Sequence, residues 1–157
     1  EFSRFGKMPK INFEPINIKT IIEEIIELYS NVKEIEMISS IKEDMPDIEI
    51  DRKQIKMALI NLIDNAIQAQ SAKIWLSVFH NIDFDLIRIE VADDGSGIKE
   101  EDKDKLFFPY FSTKKEGTGL GLAIVNSIIS KHRGYIRVQD NEPKGTRFVI
   151  ELPVSQK

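Results

Sequence analysis

Apolar residues return every three or four positions between 17 and 32. Ile18, Ile21, Ile22, Ile25, Ile26 and Tyr29 share one face, while Lys19, Glu23, Glu24 and Glu27 fall elsewhere. This spacing predicts an amphipathic helix. A longer helix is expected over 51–70, with Asp51 as its N-cap and Ile55, Leu59, Leu62, Ile63, Ala66 and Ile67 on a wide apolar face. A third, over 118–132, puts Leu122, Val125, Ile128 and Ile129 at core spacing. Alternating or β-rich runs predict strands at 35–41, 47–50, 73–80, 85–92, 135–139 and 146–152. Turns are expected around Pro46, over Asn81–Phe84 and over Asn141–Gly145, and a short charged helix at 99–105. Residues 11–16 read as extended or loop. Phe2, Phe5 and Met8 keep helical spacing until Pro9 ends it, as the last turns of a helix would.

Polar residues interrupt this pattern in three informative places. On the 51–70 helix, Gln54, Asn61, Asn65 and Gln68 line up opposite the apolar face. Asn costs a helix interior roughly half a kcal/mol against Ala, and a solvated face normally carries Glu, Lys or Arg. Either the stripe is simply an exposed polar face, or its amide oxygens aim at a shared ligand. The 85–92 strand ends in Asp93-Asp94-Gly95-Ser96-Gly97-Ile98, which is either a plain turn or a strand-end ligand loop. The run Gly117–Val125 alternates glycines ahead of a helix, as a phosphate cradle or as a helix-capping turn. Six of the eight glycines sit in these two loops and in the 141–145 turn, which ends in Gly145. The P-loop signature is absent, and Leu122 stands where the dinucleotide motif has its third glycine. Between these loops, an aromatic run at 106–111 precedes a polar segment at 112–116 that reads as a mobile lid.

Composition narrows the classes. A length of 157 residues suits one domain. The net charge of −4 opposes general nucleic-acid binding, because no basic surplus exists to neutralise phosphates. With no cysteine, disulfides and thiolate metal sites are excluded. No apolar run approaches the roughly 20 residues of a membrane span. The first residue is not methionine, so a piece of a longer protein is expected.

Five motifs occur in order: NLIDNA at 61–66, DDGSGI at 93–98, LFFPYFSTK at 106–114, GTGLGLAIV at 117–125 and GTRF at 145–148. Together they resemble the ATP-binding domain of sensor histidine kinases, over roughly residues 15–153. The opening EFSRFGKMP resembles the end of the dimerisation helix in nitrogen-sensing members. The resemblance implies an α/β (α+β) two-layer sandwich, a mixed sheet on three main helices in the Bergerat-type ATP-binding fold. It divides the chain into the end of a dimerisation helix (1–10) and a catalytic domain (11–157). The implied cofactors are ATP and Mg²⁺. Asn65 would hold Mg²⁺ and Asn61 would face the same phosphates, with Lys114 reaching the γ-phosphate; these three form the implied catalytic set. Asp93 would accept the adenine amino group, Gly95 and Gly97 would let the base approach, and Thr146 would support that end. Ile98, Phe108 and Thr113 would join the nucleotide pocket, and Gly117, Thr118, Gly119, Leu120, Gly121 and Leu122 would cradle phosphates.

Two departures stand out. Met57 replaces a common Gln, and Gln68 replaces a common Lys or Arg. Gyrase-type relatives carry a general-base Glu where Asn61 stands; an amide cannot take that proton, which disfavours fast hydrolysis. Neither His80 nor His132 has the setting of a phosphoacceptor. The implied partners are therefore a histidine-bearing dimerisation domain of the same protein and a response regulator receiver domain, with no nucleic acid. The expected full-length protein is a homodimer, the fragment a monomer, and the domain cytoplasmic with membrane attachment elsewhere left open. A non-catalytic nucleotide-sensing module and a self-contained gyrase-type ATPase are the alternatives.

Overall fold

The isoleucine face of the first helix finds its partner directly. Helix α1, Ile18–Leu28, buries Ile18, Ile21, Ile22 and Ile25. Asn17 caps it by accepting from the Lys19 amide at 2.9 Å. It ends earlier than the periodicity suggests, because the amide and hydroxyl of Ser30 both bond to the Glu27 carbonyl. The computed structural model describes residues 9–42, 44–111 and 120–157. The predicted helix end at 1–8 therefore lies outside the described residues, as do 118 and 119 at the start of the third predicted helix.

Strand β1, Glu14–Ile16, pairs antiparallel with β3, Ile48–Ile50, in a small two-stranded sheet. The other strands form a mixed sheet: β2 (Glu36–Ile41), β4 (Lys73–Asn81), β5 (Leu86–Asp93), β6 (Tyr135–Asp140) and β7 (Thr146–Pro153). Their order is β2-β4-β5-β7-β6, parallel between β2 and β4 and antiparallel elsewhere. One face carries Ile74, Leu76, Val78, Ile87, Ile89, Val91, Phe148, Ile150 and Leu152, all buried against the helices. Each such side chain contributes about 1.5–3 kcal/mol by leaving water.

Helix α2, Arg52–Gln68, is capped by Asp51, whose Oδ1 accepts from the Gln54 amide at 3.1 Å. Helix α3 is the short charged turn Glu100–Lys103, and α4 spans Gly121–Lys131. The two-layer sandwich with three main helices is the architecture the motifs imply. Among the described residues, no helix is long and apolar enough to cross a membrane.

Helix α1 is tied to α2 at two levels. Glu24 pairs with Arg52 and, at 3.0 Å, with Lys56, while the Tyr29 hydroxyl donates to Asp64 at 2.8 Å. Burial, reinforced by that carboxylate, holds the Tyr29 proton far above the usual phenol range.

The segment before β1 is strapped onto the N-terminus of α2. Gln54 Nε2 donates to the Pro9 carbonyl at 3.2 Å, and the Asn12 amide donates to Asp51 Oδ2 at 2.9 Å. Phe13 sets its ring edge-to-face on His132 at 5.4 Å. His132 is fully buried. Its Nε2 accepts from the Asp51 amide at 3.0 Å and its Nδ1 donates to the Ile128 carbonyl at 2.8 Å, so one neutral tautomer satisfies both partners.

Candidate nucleotide site

The polar stripe on α2 resolves into three environments. Gln54 is buried and tied to Pro9, which removes it from any solvent-facing or ligand-facing set. Gln68 is exposed. Asn61 and Asn65, one turn apart, are half-buried between those extremes. Opposite Asn61 stands the first turn of α4: a Cβ built on Gly121 would lie 3.7 Å from Asn61 Oδ1. The amide face of α2 and the N-terminus of α4 thus meet across a narrow gap. Leu120, at the N-cap position, offers no side-chain acceptor of its own. Together with the helix dipole, this suits an anion. Leu120 is buried, and Leu122 is half-buried against the core.

The other end of the site is built on Asp93, the last residue of β5, only 4% exposed. Its Oδ1 accepts from the Gly95 amide at 2.9 Å and from the Thr146 amide at 3.2 Å. Burial raises its pKa; those two amides and the neighbouring Ser71 hydroxyl oppose the rise, and Asp94 adds to it. The Ser71 oxygen makes no hydrogen bond of ordinary geometry. Thr146 is itself buried, so the carboxylate is held by fixed backbone donors.

The glycines here have reasons the motif alone does not disclose. A Cβ on Gly95 would stand 2.6 Å from the Ala69 carbonyl and 2.7 Å from Ser71 Oγ, so this glycine lets the loop close onto the end of α2. The Ser96 amide completes that contact by donating to the Ala69 carbonyl at 3.0 Å. Gly97 adopts φ +80°, a left-handed conformation that side chains disfavour. Asp94 is structural: its Oδ1 accepts from the Ala72 and Lys73 amides at 2.8 and 3.0 Å, and these bonds, Lys73 first, lower its pKa.

Ile98 is half-buried against the core. In the aromatic run, Leu106 is buried and Phe107 packs edge-to-face on Phe148 at 6.3 Å, whereas Phe108 is 61% exposed. The anchor is therefore Leu106 and Phe107. Thr113, Lys114, Gly117, Thr118 and Gly119, with the predicted lid, lie outside the described residues.

His132 is enclosed with both nitrogens bonded, and His80 lies 3.0 Å from Asp85 Oδ1 at the β4–β5 hairpin. Among the described residues, no three or more His, Cys, Asp or Glu side chains gather as a metal site. A hard cation here would need amide oxygens and the ligand's own oxygens, a donor set that Mg²⁺ accepts. Asn61 and Asn65 are of that chemistry.

Sequence reasoning missed Asn141. Counted as a turn residue, it is buried, and its Nδ2 donates to the Asp93 carbonyl at 2.8 Å.

Residues 50–156 match the protein family described as histidine kinase-, DNA gyrase B-, and HSP90-like ATPase. Among curated proteins, the chain is 36% identical over 158 residues to the sensor histidine kinase ZraS of Escherichia coli K12, covering 99% of this chain and 34% of that protein. It is 34% identical over 161 residues to sporulation kinase E of Bacillus subtilis 168, covering 99% of this chain and 22% of that protein. The chain thus spans about a third or less of the length of these relatives. Among solved structures, the catalytic domain of histidine kinase ThkA superposes with a TM-score of 0.82 at 34% identity, covering 91% of this chain and 96% of that one. ThkA in complex with the response regulator protein TrrA gives 0.83 at 30% identity, with 98% and 45% covered.

Proposed function

The chain belongs to the histidine kinase-, DNA gyrase B- and HSP90-like ATPase family, as a catalytic domain of the histidine kinase type, and from that premise we propose how its residues work. It binds Mg·ATP and delivers the γ-phosphoryl group to a histidine on a dimerisation domain of the same protein, for relay to a receiver domain. The segment 1–10 leads in from that domain, its helical spacing ending at Pro9. The observation that carries this reading is the Asn61 amide oxygen facing the Gly121 turn at the start of α4.

Asp93 reads the base. Two backbone amides occupy Oδ1, which leaves its second oxygen as the acceptor for an exocyclic amine. Thr146 supports that end, and Ile98 offers the base an apolar neighbour. The phosphates lie at the α4 N-terminus, where Leu120, Gly121 and Leu122 follow Gly117–Gly119, with Lys114 adding a cation. Bound Mg²⁺ would neutralise charge on the phosphate oxygens, held by the Asn65 amide oxygen with Asn61 beside it. Neither amide can take a proton from water, so the domain holds the phosphoryl group for an incoming acceptor instead of hydrolysing it. His132 and His80 are not that acceptor, the first because it is enclosed.

Asn65→Ala tests the reading. With a separately supplied histidine-bearing dimerisation domain and Mg·ATP, the variant is expected to fold normally and give no phosphohistidine. Normal transfer would remove Asn65 from the metal role. In the same assay a nucleotide-sensing module would bind ATP and transfer nothing, and a gyrase-type ATPase would release phosphate steadily.

A further inference from the structure

The β5–β7 ladder stops one residue early, and what replaces its last rung is Asn141. The paired register runs from Leu86–Pro153 to Ala92–Arg147; the next pair would be Asp93 with Thr146. That exchange is diverted. The Thr146 amide goes to the Asp93 side chain, so the Asp93 carbonyl is left to be satisfied by another donor. It receives Asn141 Nδ2 at 2.8 Å, while the Asn141 amide closes its own turn onto the Gly145 carbonyl at 3.0 Å. Gly145 sits so near that a Cβ there would be 1.9 Å from the Asp93 oxygen, and its φ is +104°. The Asp93 backbone is thereby clamped from one side by Asn141 and Gly145, and its carboxylate from the other by Gly95 and Thr146.

Asn141 is also told which way to face. Its Oδ1 accepts from Arg147 at 3.2 Å. A carbonyl on one side can only accept and a guanidinium on the other can only donate, so a single orientation of the amide satisfies both. Arg147 is in turn drawn toward Glu90 at 3.8 Å, and Glu90 is paired with Arg88 at 2.8 Å. A polar chain therefore runs from the outer face of the sheet through Arg147 and Asn141 to the residue that reads the base.

We propose that Asn141 is a positioning residue for nucleobase recognition: by holding the Asp93 carbonyl it fixes where the Asp93 carboxylate stands, and Arg147 sets the Asn141 amide that does so. This rests on Asp93 being the base reader. Asn141 touches neither base nor phosphate in this scheme, so its removal weakens the part of binding that the base contributes and spares the part contributed by phosphates.

The isosteric change Asn141→Asp replaces the donor by a carboxylate oxygen facing the Asp93 carbonyl, and it keeps the Arg147 partner. Titration with ATP and with inorganic triphosphate is expected to show about a tenfold loss for ATP and no change for triphosphate, as the loss of one buried hydrogen bond predicts. Arg147→Met leaves the bond possible without enforcing it, and about a threefold loss for ATP is expected. An unchanged ATP affinity in Asn141→Asp, or equal losses for ATP and triphosphate, would overturn the proposal. If Asn141→Asp does not fold, Arg147→Met decides, and wild-type ATP affinity there overturns it. Failure of the unaltered protein to bind ATP would instead sink the functional reading beneath it.

Discussion

Two buried titratable side chains set opposite pH trends. Burial lowers the pKa of His132, against the weaker raising effects of the Ile128 carbonyl and Asp51. The unfolded chain then binds the extra proton first, so this contribution is whole above the ordinary imidazole pKa, about 6.5, and is lost as pH falls below it. Protonation at Nε2 would also set one N–H against the Asp51 amide. Asp93 works the other way. Its raised pKa means the folded protein holds the proton longer, so stability falls as pH rises from the ordinary aspartate value through the folded one. The stability of the native protein, measured by unfolding across pH, should therefore fall below about 6.5, and His132→Gln should flatten that slope. An unchanged slope would remove His132 as its source. Asp93→Asn should keep both Oδ1 bonds, shed the desolvation cost and melt no lower than the native protein. Its amide would nevertheless present a donor to the adenine amino donor, and ATP affinity should drop about a hundredfold by titration.

At the scale of elements, α2 carries most of the consequences. Its cap, Asp51, also receives the Asn12 amide, so Asp51→Ala should cost about 1–2 kcal/mol in denaturant unfolding. Gly95→Ala should be worse, because the clash is with the Ala69 backbone and cannot be relieved by a rotamer. Much of this level was legible beforehand. Long runs such as the faces of α1 and α2 repeat their spacing often enough to declare their period, and Asp93 stood at the end of a clean alternation. Strand β1 was not legible, because three residues with Pro15 at the centre show no alternation. Helical spacing equally could not separate Gln54 from Asn61. It assigns both to one stripe, and only the chain arriving at Pro9 decides that the first is buried. Asn141 was hidden by its commonness in turns, where a side chain committed to a distant carbonyl looks like any other.

At the scale of the whole molecule, a ligand that bridges α2, the β5–β7 end and α4 stabilises the folded state alone. Saturation at a hundredfold excess over Kd contributes about 2.7 kcal/mol, so Mg·ATP should raise the melting temperature by several degrees, and Asp93→Asn should abolish most of that rise. The order of the sheet was not readable from sequence. Alternation marks strands but not neighbours, and β7 lies between β5 and β6 although it is last in the chain.

The strap over α2 gives this geometry a mechanical meaning. From Pro9 the chain is fastened within a few residues to Gln54 and Asp51, at the root of the helix that carries Asn61 two turns on and Asn65 three turns on. The distance from Gln54 to Asn61 is about 10 Å along a stiff rod. A pull or twist arriving through the entering segment is thus delivered to the root of a helix that carries Asn61 and Asn65 and whose far end, at Ala69, holds the Gly95–Ser96 loop beside Asp93. Such a load would therefore reach both the Asn61–Asn65 face and the Asp93 end of the proposed site along one continuous element.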